Sequence, residues 1–206
     1  KVAAALAGGN AVIIKPATEN PLTIMKIVEI CWECGVPGDV LQLVTGRGAV
    51  VGGILSESPD IQALSLTGST EVGCEVAQKG AKSLKRIFME LGGNDPYIVF
   101  EDADMEKAIA DAFAGRIQNA GQTCCSPKRF IVQNSVKDAF IAGLQSRIKS
   151  IHLGSPLDED TDMGCLISPG AAEGVQKQVE ETVAQGAKLV CGGHVFNQTY
   201  FEPTIL

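Results

Sequence analysis

The sequence is poor in positive charge. Its 17 Lys and Arg are outnumbered by 24 Asp and Glu, giving a formal net charge of −7 and a sequence pI near 4.9. Charges of both signs are mixed along the chain, so there is no basic stripe of the kind that a phosphate backbone or an anionic membrane surface requires. Nucleic acid is thereby excluded as an expected partner. Long apolar runs are missing too, since none approaches the roughly 18 to 20 residues of a spanning helix. The segment Lys1 to Ala7 lacks the layout of a signal peptide, and the expectation is a cytoplasmic protein with no membrane partner. Histidine is scarce. His152 and His194 are the only two and have no ligand-like spacing, so no metal site is expected. Neither lies near the Cys124–Cys125 pair in sequence, which leaves a Cys–His hydrolase little support. Low-complexity linkers and solenoid-period repeats are absent.

What is present is a 206-residue chain with 45% apolar residues, enough for one large or two small globular domains. Its seven cysteines are odd in number and irregularly spaced, which points to free thiols in a reducing compartment. Strand-like and helix-like segments alternate. Ala11 to Lys15 reads as a strand, followed by a helix opened by Asn20-Pro21 and stopped at Gly35. Val40 to Val44 and Ala49 to Leu55 repeat the motif, as do Ala63 to Leu66 and Thr70 to Gln78, with Ile87 to Leu91 as a further strand. Beyond a boundary near Gly92-Gly93 come Tyr97 to Phe100 (strand), Asp104 to Asn119 (helix), Phe130 to Gln133 (strand), Val136 to Lys149 and Pro169 to Gln185 (helices), and Lys188 to Cys191 (strand). This spacing predicts an α/β fold with a mostly parallel sheet covered by helices on both faces. Lys1 to Ala7 reads as helix without a cap, and Tyr200 to Leu206 as a strand begun and not completed. The expectation is a piece of a longer polypeptide.

Four places carry potential chemistry. Gly68-Ser69-Thr70-Glu71-Val72-Gly73 stands where a strand gives way to a helix, so free N–H groups could face a phosphate. The spacing is not that of the usual dinucleotide fingerprint, and a tight strand-to-helix turn accounts for it equally well. Lys15 ends the first strand, where a lysine reaches a ligand's phosphate or ribose or serves as a surface charge. Cys124 and Cys125 follow a Gly-containing turn after a long helix, a good position from which to meet a substrate. Glu90 lies in an apolar strand. In a water-poor cleft its carboxylate would suit a general base; the alternative is an edge-strand surface residue. Cys31 and Cys34 form a C-x-x-C inside a helical pattern with no second pair, so no zinc or redox role is assigned. Cys74, Cys165 and Cys191 read as inert core residues.

Met89-Glu90-Leu91-Gly92-Gly93-Asn94-Asp95-Pro96 followed by Asn119-Ala120-Gly121-Gln122-Thr123-Cys124 resembles the paired glutamate and cysteine signatures of the aldehyde dehydrogenase superfamily. Gly9 to Pro16, Gly35 to Gly46 and Leu66 to Gly73 are similar to three further motifs in the family's order. The likeness covers essentially the whole chain and is nearest in texture to bacterial succinate-semialdehyde dehydrogenases. It implies a parallel, doubly wound NAD(P)-binding domain over residues 1–92 and an α/β catalytic domain over 93–206, both incomplete. It also implies NAD or NADP as cofactor, a small aldehyde as substrate, and a homodimer or homotetramer in the full-length protein.

The resemblance further implies roles. Cys124 would attack the aldehyde carbonyl, hydride would pass to the nicotinamide, and Glu90 would activate water to hydrolyse the resulting thioester. The Cys124 N–H would hold part of the oxyanion. Lys15 would contact the adenosine ribose and Ser69 the pyrophosphate. Gly68 and Gly73 would admit close backbone approach, and Leu91 would line the cofactor site. Two positions depart from the pattern. Where NAD-preferring members often carry a glutamate, three residues after the lysine, this chain has Thr18, so NADP is expected to be tolerated or preferred. Where succinate-semialdehyde enzymes often carry an arginine, six residues before the nucleophile, it has Gln118. Arg116 is offset by two residues, which on a helix is a different face. Gln118 and Cys125 are the expected substrate-side residues; Cys125 either joins a mixed species on oxidation or is simply a small packing residue. Two other readings share the fold: a reductase of acyl thioesters or acyl phosphates, which typically lacks the glutamate, and a non-catalytic homologue, which would have lost the cysteine or the glutamate. The 206-residue piece by itself is expected to be inactive.

Overall fold

Three times along the chain a strand-like run is followed by a helix and then by a strand that pairs parallel to the first. In the computed structural model, which describes residues 1–206, the chain divides into two compact units, Lys1–Gly92 and Gly93–Leu206.

The first unit begins with α1 (Val2–Ala7) and holds two βαβ units. β1 (Val12–Ile14) pairs parallel to β2 (Leu41–Leu43) across α2 (Pro21–Glu33), with Val12 opposite Leu41. Pro21 suits the start of α2 because its fixed φ is helical and the N–H it lacks would have no helical partner. Asn20 occupies the N-cap position, but its side chain makes no capping bond. At the other end Gly35 takes φ +95°, and the N–H groups of Val36 and Gly35 return to the carbonyls of Cys31 (3.0 Å) and Trp32 (2.9 Å). A side chain in that left-handed conformation would be strained, which is why the helix stops on glycine. Val28 and Leu41 are fully buried, and the Trp32 indole N–H donates to the Leu41 carbonyl at 2.9 Å, fastening α2 to β2.

A π-turn over Gly48–Gly52 runs into α3 (Gly53–Glu57), where the sequence predicts one continuous helix. β3 (Ala63–Thr67) and β4 (Arg86–Glu90) then pair parallel across α4 (Thr70–Ala81), with Thr67 opposite Glu90. α4 lies close on this pair. A Cβ at Gly80 would stand 2.8 Å from Ile87 Cδ1, and one at Gly73 2.9 Å from both Leu91 methyls. Lys85, just before β4, is buried, its ammonium donating to the carbonyls of Ser58 and Ile61. These bonds replace the water that a buried charge must otherwise lose at a large cost.

The second unit holds a third βαβ unit: β5 (Pro96–Val99), α5 (Met105–Ile117) and β6 (Arg129–Val132), again parallel. α6 (Lys137–Ser150) completes a core of Val99, Ala112, Phe140 and Leu144. Tyr97, Phe130 and Phe140 cluster with ring centroids 5.7 to 6.5 Å apart, and burial of the Phe140 ring alone is worth about 1.5–3 kcal/mol. Gly143 makes room for Ile109 between α6 and α5. α7 (Pro169–Ala184) is capped by Ser168, which accepts from Ala171 N–H at 3.1 Å. It packs with the antiparallel hairpin of β7 (Val195–Phe196) and β8 (Tyr200–Phe201) around Leu166, Ala172, Val179 and Phe201.

Several boundaries differ from the sequence reading. α5 ends at Ile117, not Asn119, because Asn119 and Ala120 are left-handed. Lys188 to Cys191 forms no strand; Cys191 makes one antiparallel bridge to Ile205. Tyr200 to Leu206 pairs only through Tyr200–Phe201 and that bridge, since Pro203 interrupts the run and has no N–H to give a ladder. Cys74, expected in the core, is exposed.

Candidate active site

The loop that carries Cys124 is built around an unusual backbone. Asn119 (φ 52°, ψ 39°), Ala120 (φ 53°, ψ 33°) and Gly121 (φ 75°) are left-handed in succession. Asparagine tolerates this region, whereas alanine in it costs about 1–2 kcal/mol, so the surroundings must hold the loop in place. Gln122 does much of that. Its N–H and its Nε2 both donate to the Asn119 carbonyl (3.1 and 3.0 Å), its carbonyl accepts from Asn119 Nδ2 (3.4 Å), and its Oε1 accepts from Ile167 N–H (2.9 Å). The Asn–x–x–Gln spacing is thus a mutual lock tethered to the approach of α7.

Past the lock, Cys124 and Cys125 occupy the two corners of a turn closed by Ser126 N–H donating to the Thr123 carbonyl at 3.2 Å. Both cysteines are exposed. The Cys124 N–H donates to no group in the protein, while the Cys124 carbonyl accepts from Lys128 Nζ at 3.1 Å. Gly93 passes against the same carbonyl, and a Cβ there would lie 3.1 Å from its oxygen. Gln118 is exposed at the end of α5, with its carbonyl accepting from Thr123 Oγ1 at 3.4 Å. Arg116 does not take the place of the absent arginine at position 118. Its guanidinium turns inward and donates to Ser126 Oγ at 2.9 Å, and burial pulls its pKa below the ordinary arginine value. No pattern in the sequence marks this contact, because it joins a helix to a residue after the turn.

Within the first unit, the remaining candidates lie at the carboxyl ends of strands, the side on which open parallel sheets bind ligands. The Lys15 ammonium, after β1, donates to the carbonyls of Pro16 (2.5 Å) and Gly46 (3.4 Å). An ammonium has three donors, so one proton is left for an acceptor outside these two carbonyls. Thr18 is exposed at a corner of the Ala17–Asn20 turn, closed by Asn20 N–H on the Ala17 carbonyl at 3.3 Å. Gly68 and Ser69 are exposed between β3 and α4, and Gly68 N–H donates to the Glu90 carbonyl at 3.1 Å. Ser69 caps α4 by accepting from Val72 N–H at 3.3 Å. Glu71's own backbone N–H and the Ser69 hydroxyl hold the Glu71 carboxyl below the ordinary carboxylate range. The arrangement fits a coenzyme in donor chemistry: a lysine with a spare proton and an open helix start. Gly73, by contrast, is filled from within by Leu91. Glu90 ends β4 with its side chain exposed, on the same face as Phe88, so residues 1–92 do not by themselves enclose it in a water-poor cleft.

Comparison with known proteins identifies the family. A family model described as "Aldehyde dehydrogenase family" matches residues 1–206. The chain is 41% identical over 206 residues to a glutarate-semialdehyde dehydrogenase of Pseudomonas putida and 40% identical over 208 residues to the NADP(+) succinate-semialdehyde dehydrogenase of Escherichia coli. Each match takes in 100% of this chain and 43% of the relative, so the chain spans less than half the length of these relatives. Among solved structures, an NAD-dependent aldehyde dehydrogenase from Sinorhizobium meliloti superposes with a TM-score of 0.97 at 35% identity, covering 99% of this chain and 41% of that one. No helix is long and apolar enough to cross a membrane. Because the family model takes in the whole of residues 1–206 and these relatives are about 40% identical along all of it, the chain belongs to the aldehyde dehydrogenase family.

Proposed function

We propose that the full-length protein oxidises an aldehyde to its carboxylic acid with NAD or NADP, using Cys124 as nucleophile and Glu90 as general base. The observation that carries this reading is the state of Cys124: an exposed thiol and an unused backbone N–H on one residue, at the corner of a braced turn. The thiolate adds to the carbonyl carbon, and the Cys124 N–H takes the developing oxyanion. When bound, the coenzyme supplies one thing, acceptance of the hydride that leaves that carbon. The acyl group is then a thioester on Cys124. Glu90 removes a proton from water as the oxygen adds to the thioester, and the thiolate departs as the acid forms.

In this reading residues 1–92 are part of the NAD(P)-binding domain and 93–206 part of the catalytic domain. Lys15 meets the adenosine ribose, Gly68 and Ser69 the pyrophosphate, and Leu91, seated over Gly73, borders the coenzyme site. Gln118 and Cys125 face the substrate, for which semialdehydes such as succinate semialdehyde are the first candidates. The enzyme works in the cytoplasm as a homodimer or homotetramer. The decisive test is acid quenching of the full-length protein during turnover with NADP and succinate semialdehyde, glutarate semialdehyde or an uncharged aldehyde. An acyl mass increment on the peptide containing Cys124 is expected, and NADPH formation with the increment elsewhere, or with none, defeats the mechanism.

Coenzyme preference gives a separate check. Thr18→Glu places a carboxylate on the Ala17–Asn20 turn near Lys15, where it repels a 2′-phosphate and accepts from ribose hydroxyls. The NADP-to-NAD ratio of kcat/KM is expected to fall by about tenfold or more, equivalent to roughly 1.4 kcal/mol or more. An unchanged ratio would remove Thr18 from the coenzyme site.

A further inference from the structure

Two cationic side chains converge on the turn that carries Cys124. From α5, Arg116 Nη1 donates to Ser126 Oγ at 2.9 Å, and that hydroxyl donates onward to the Gly115 carbonyl at 3.0 Å. Ser126 is only 2% exposed. The same guanidinium lies against Gly121, where a Cβ would come within 2.6 Å of Nη2 and 2.9 Å of Cζ. One side chain therefore touches the loop both before and after Cys124. No carboxylate pairs with it. A half-buried guanidinium without a counter-charge is costly, and here its burial is matched to neutral acceptors in the loop. Lys128 Nζ also reaches the turn and donates to the carbonyls of Cys124 and Ser126, both at 3.1 Å.

We propose that the Arg116–Ser126 pair is a positioning device for the nucleophile: it pins the far end of the Gly121–Ser126 segment to α5 and so fixes the direction of the Cys124 thiol and N–H. Arg116 touches neither substrate nor coenzyme and acts only through Ser126 and Gly121. The left-handed run leading into the segment gives this staple its purpose, since a strained loop relaxes unless both ends are held. Displacement of a nucleophile by about 1 Å costs up to roughly a hundredfold in rate. The proposal deepens the reading of Cys124 as nucleophile and rests on it.

The test uses the full-length protein with Arg116→Met, which keeps the apolar stem and removes the donors, and Ser126→Ala, which removes one oxygen. Each is expected to lower kcat by about tenfold or more while KM for aldehyde and coenzyme stays within about twofold. The iodoacetamide rate at Cys124 should fall relative to Cys34 and Cys74, two exposed cysteines of the same molecule. The double variant should be no slower than the slower single one, because both remove the same contact. Arg116→Lys, which retains a donor, should recover part of the rate. Unchanged kcat and labelling ratio in Ser126→Ala, or additive losses in the double variant, would overturn the staple. If Arg116→Met does not fold, Ser126→Ala and Arg116→Lys still decide the matter. Retained activity in Cys124→Ser would instead overturn the nucleophile assignment, a separate result from failure of the staple.

Discussion

Replacing Cys124 with serine is expected to lower aldehyde oxidation by the full-length protein by at least roughly four orders of magnitude, the scale on which loss of a covalent nucleophile is felt. A hydroxyl at neutral pH is a far weaker nucleophile than a thiol, and no histidine neighbours position 124 in sequence to activate it. The fold should be indifferent to the change. Cys124 is exposed and its sulfur makes no hydrogen bond, whereas the contacts that hold the turn run through its carbonyl and through Ser126. Thermal midpoint and coenzyme binding should match the parent, with NAD(P)H production lost. Cys125→Ser is the natural control, since it occupies the other corner of the same turn and has no part in the proposed chemistry beyond facing the substrate. A Cys124→Ser protein that kept its rate would place the chemistry elsewhere.

The second large effect belongs to Glu90→Gln. Glutamine keeps the size and polarity of the side chain and loses the capacity to take a proton, so its consequence should be confined to the step that needs a base. The first turnover should release NAD(P)H at close to the parental rate, and steady-state turnover should fall by roughly 10²–10³-fold, within the range for a positioned general base. Thioester on Cys124 would then accumulate, visible as a burst approaching one equivalent of NAD(P)H per site. If burst and steady-state rates fall together, Glu90 acts before the thioester forms and the proposed division of labour is wrong.

The three βαβ units were readable because their strands are short apolar runs set between amphipathic helices, so periodicity and turn residues change together at each boundary. Gly35 shows the limit of such reading at its best: a glycine after a helical pattern predicts a stop, and the positive φ with two returning hydrogen bonds supplies the reason. Lys188 to Cys191 shows the opposite. Its residues are apolar enough for a strand, but pairing depends on a partner, and Pro203 sits in the segment that would have supplied the ladder. The exposure of Cys74 is settled by which face of α4 meets β3 and β4, and Gly73 and Gly80, not the cysteine, mark that face. At the candidate site the residue types were legible through family-like motifs. The left-handed run, the Asn119–Gln122 lock and the Arg116–Ser126 contact were not, since each depends on the three-dimensional course of the loop, which no residue type announces.

The lock between Asn119 and Gln122 also sorts the neighbourhood for anyone wishing to alter which aldehydes are accepted. Residues whose side chains carry the loop's shape leave little freedom: Ala120 already bears an unfavourable backbone, and a Cβ at Gly121 would strike the Arg116 guanidinium. Gln118 and Cys125 border the same loop, are exposed, and contribute no side-chain bond to the lock. A combinatorial library should therefore randomise positions 118 and 125 and leave 119 to 122 as they are, because variety is cheapest where the scaffold does not depend on it.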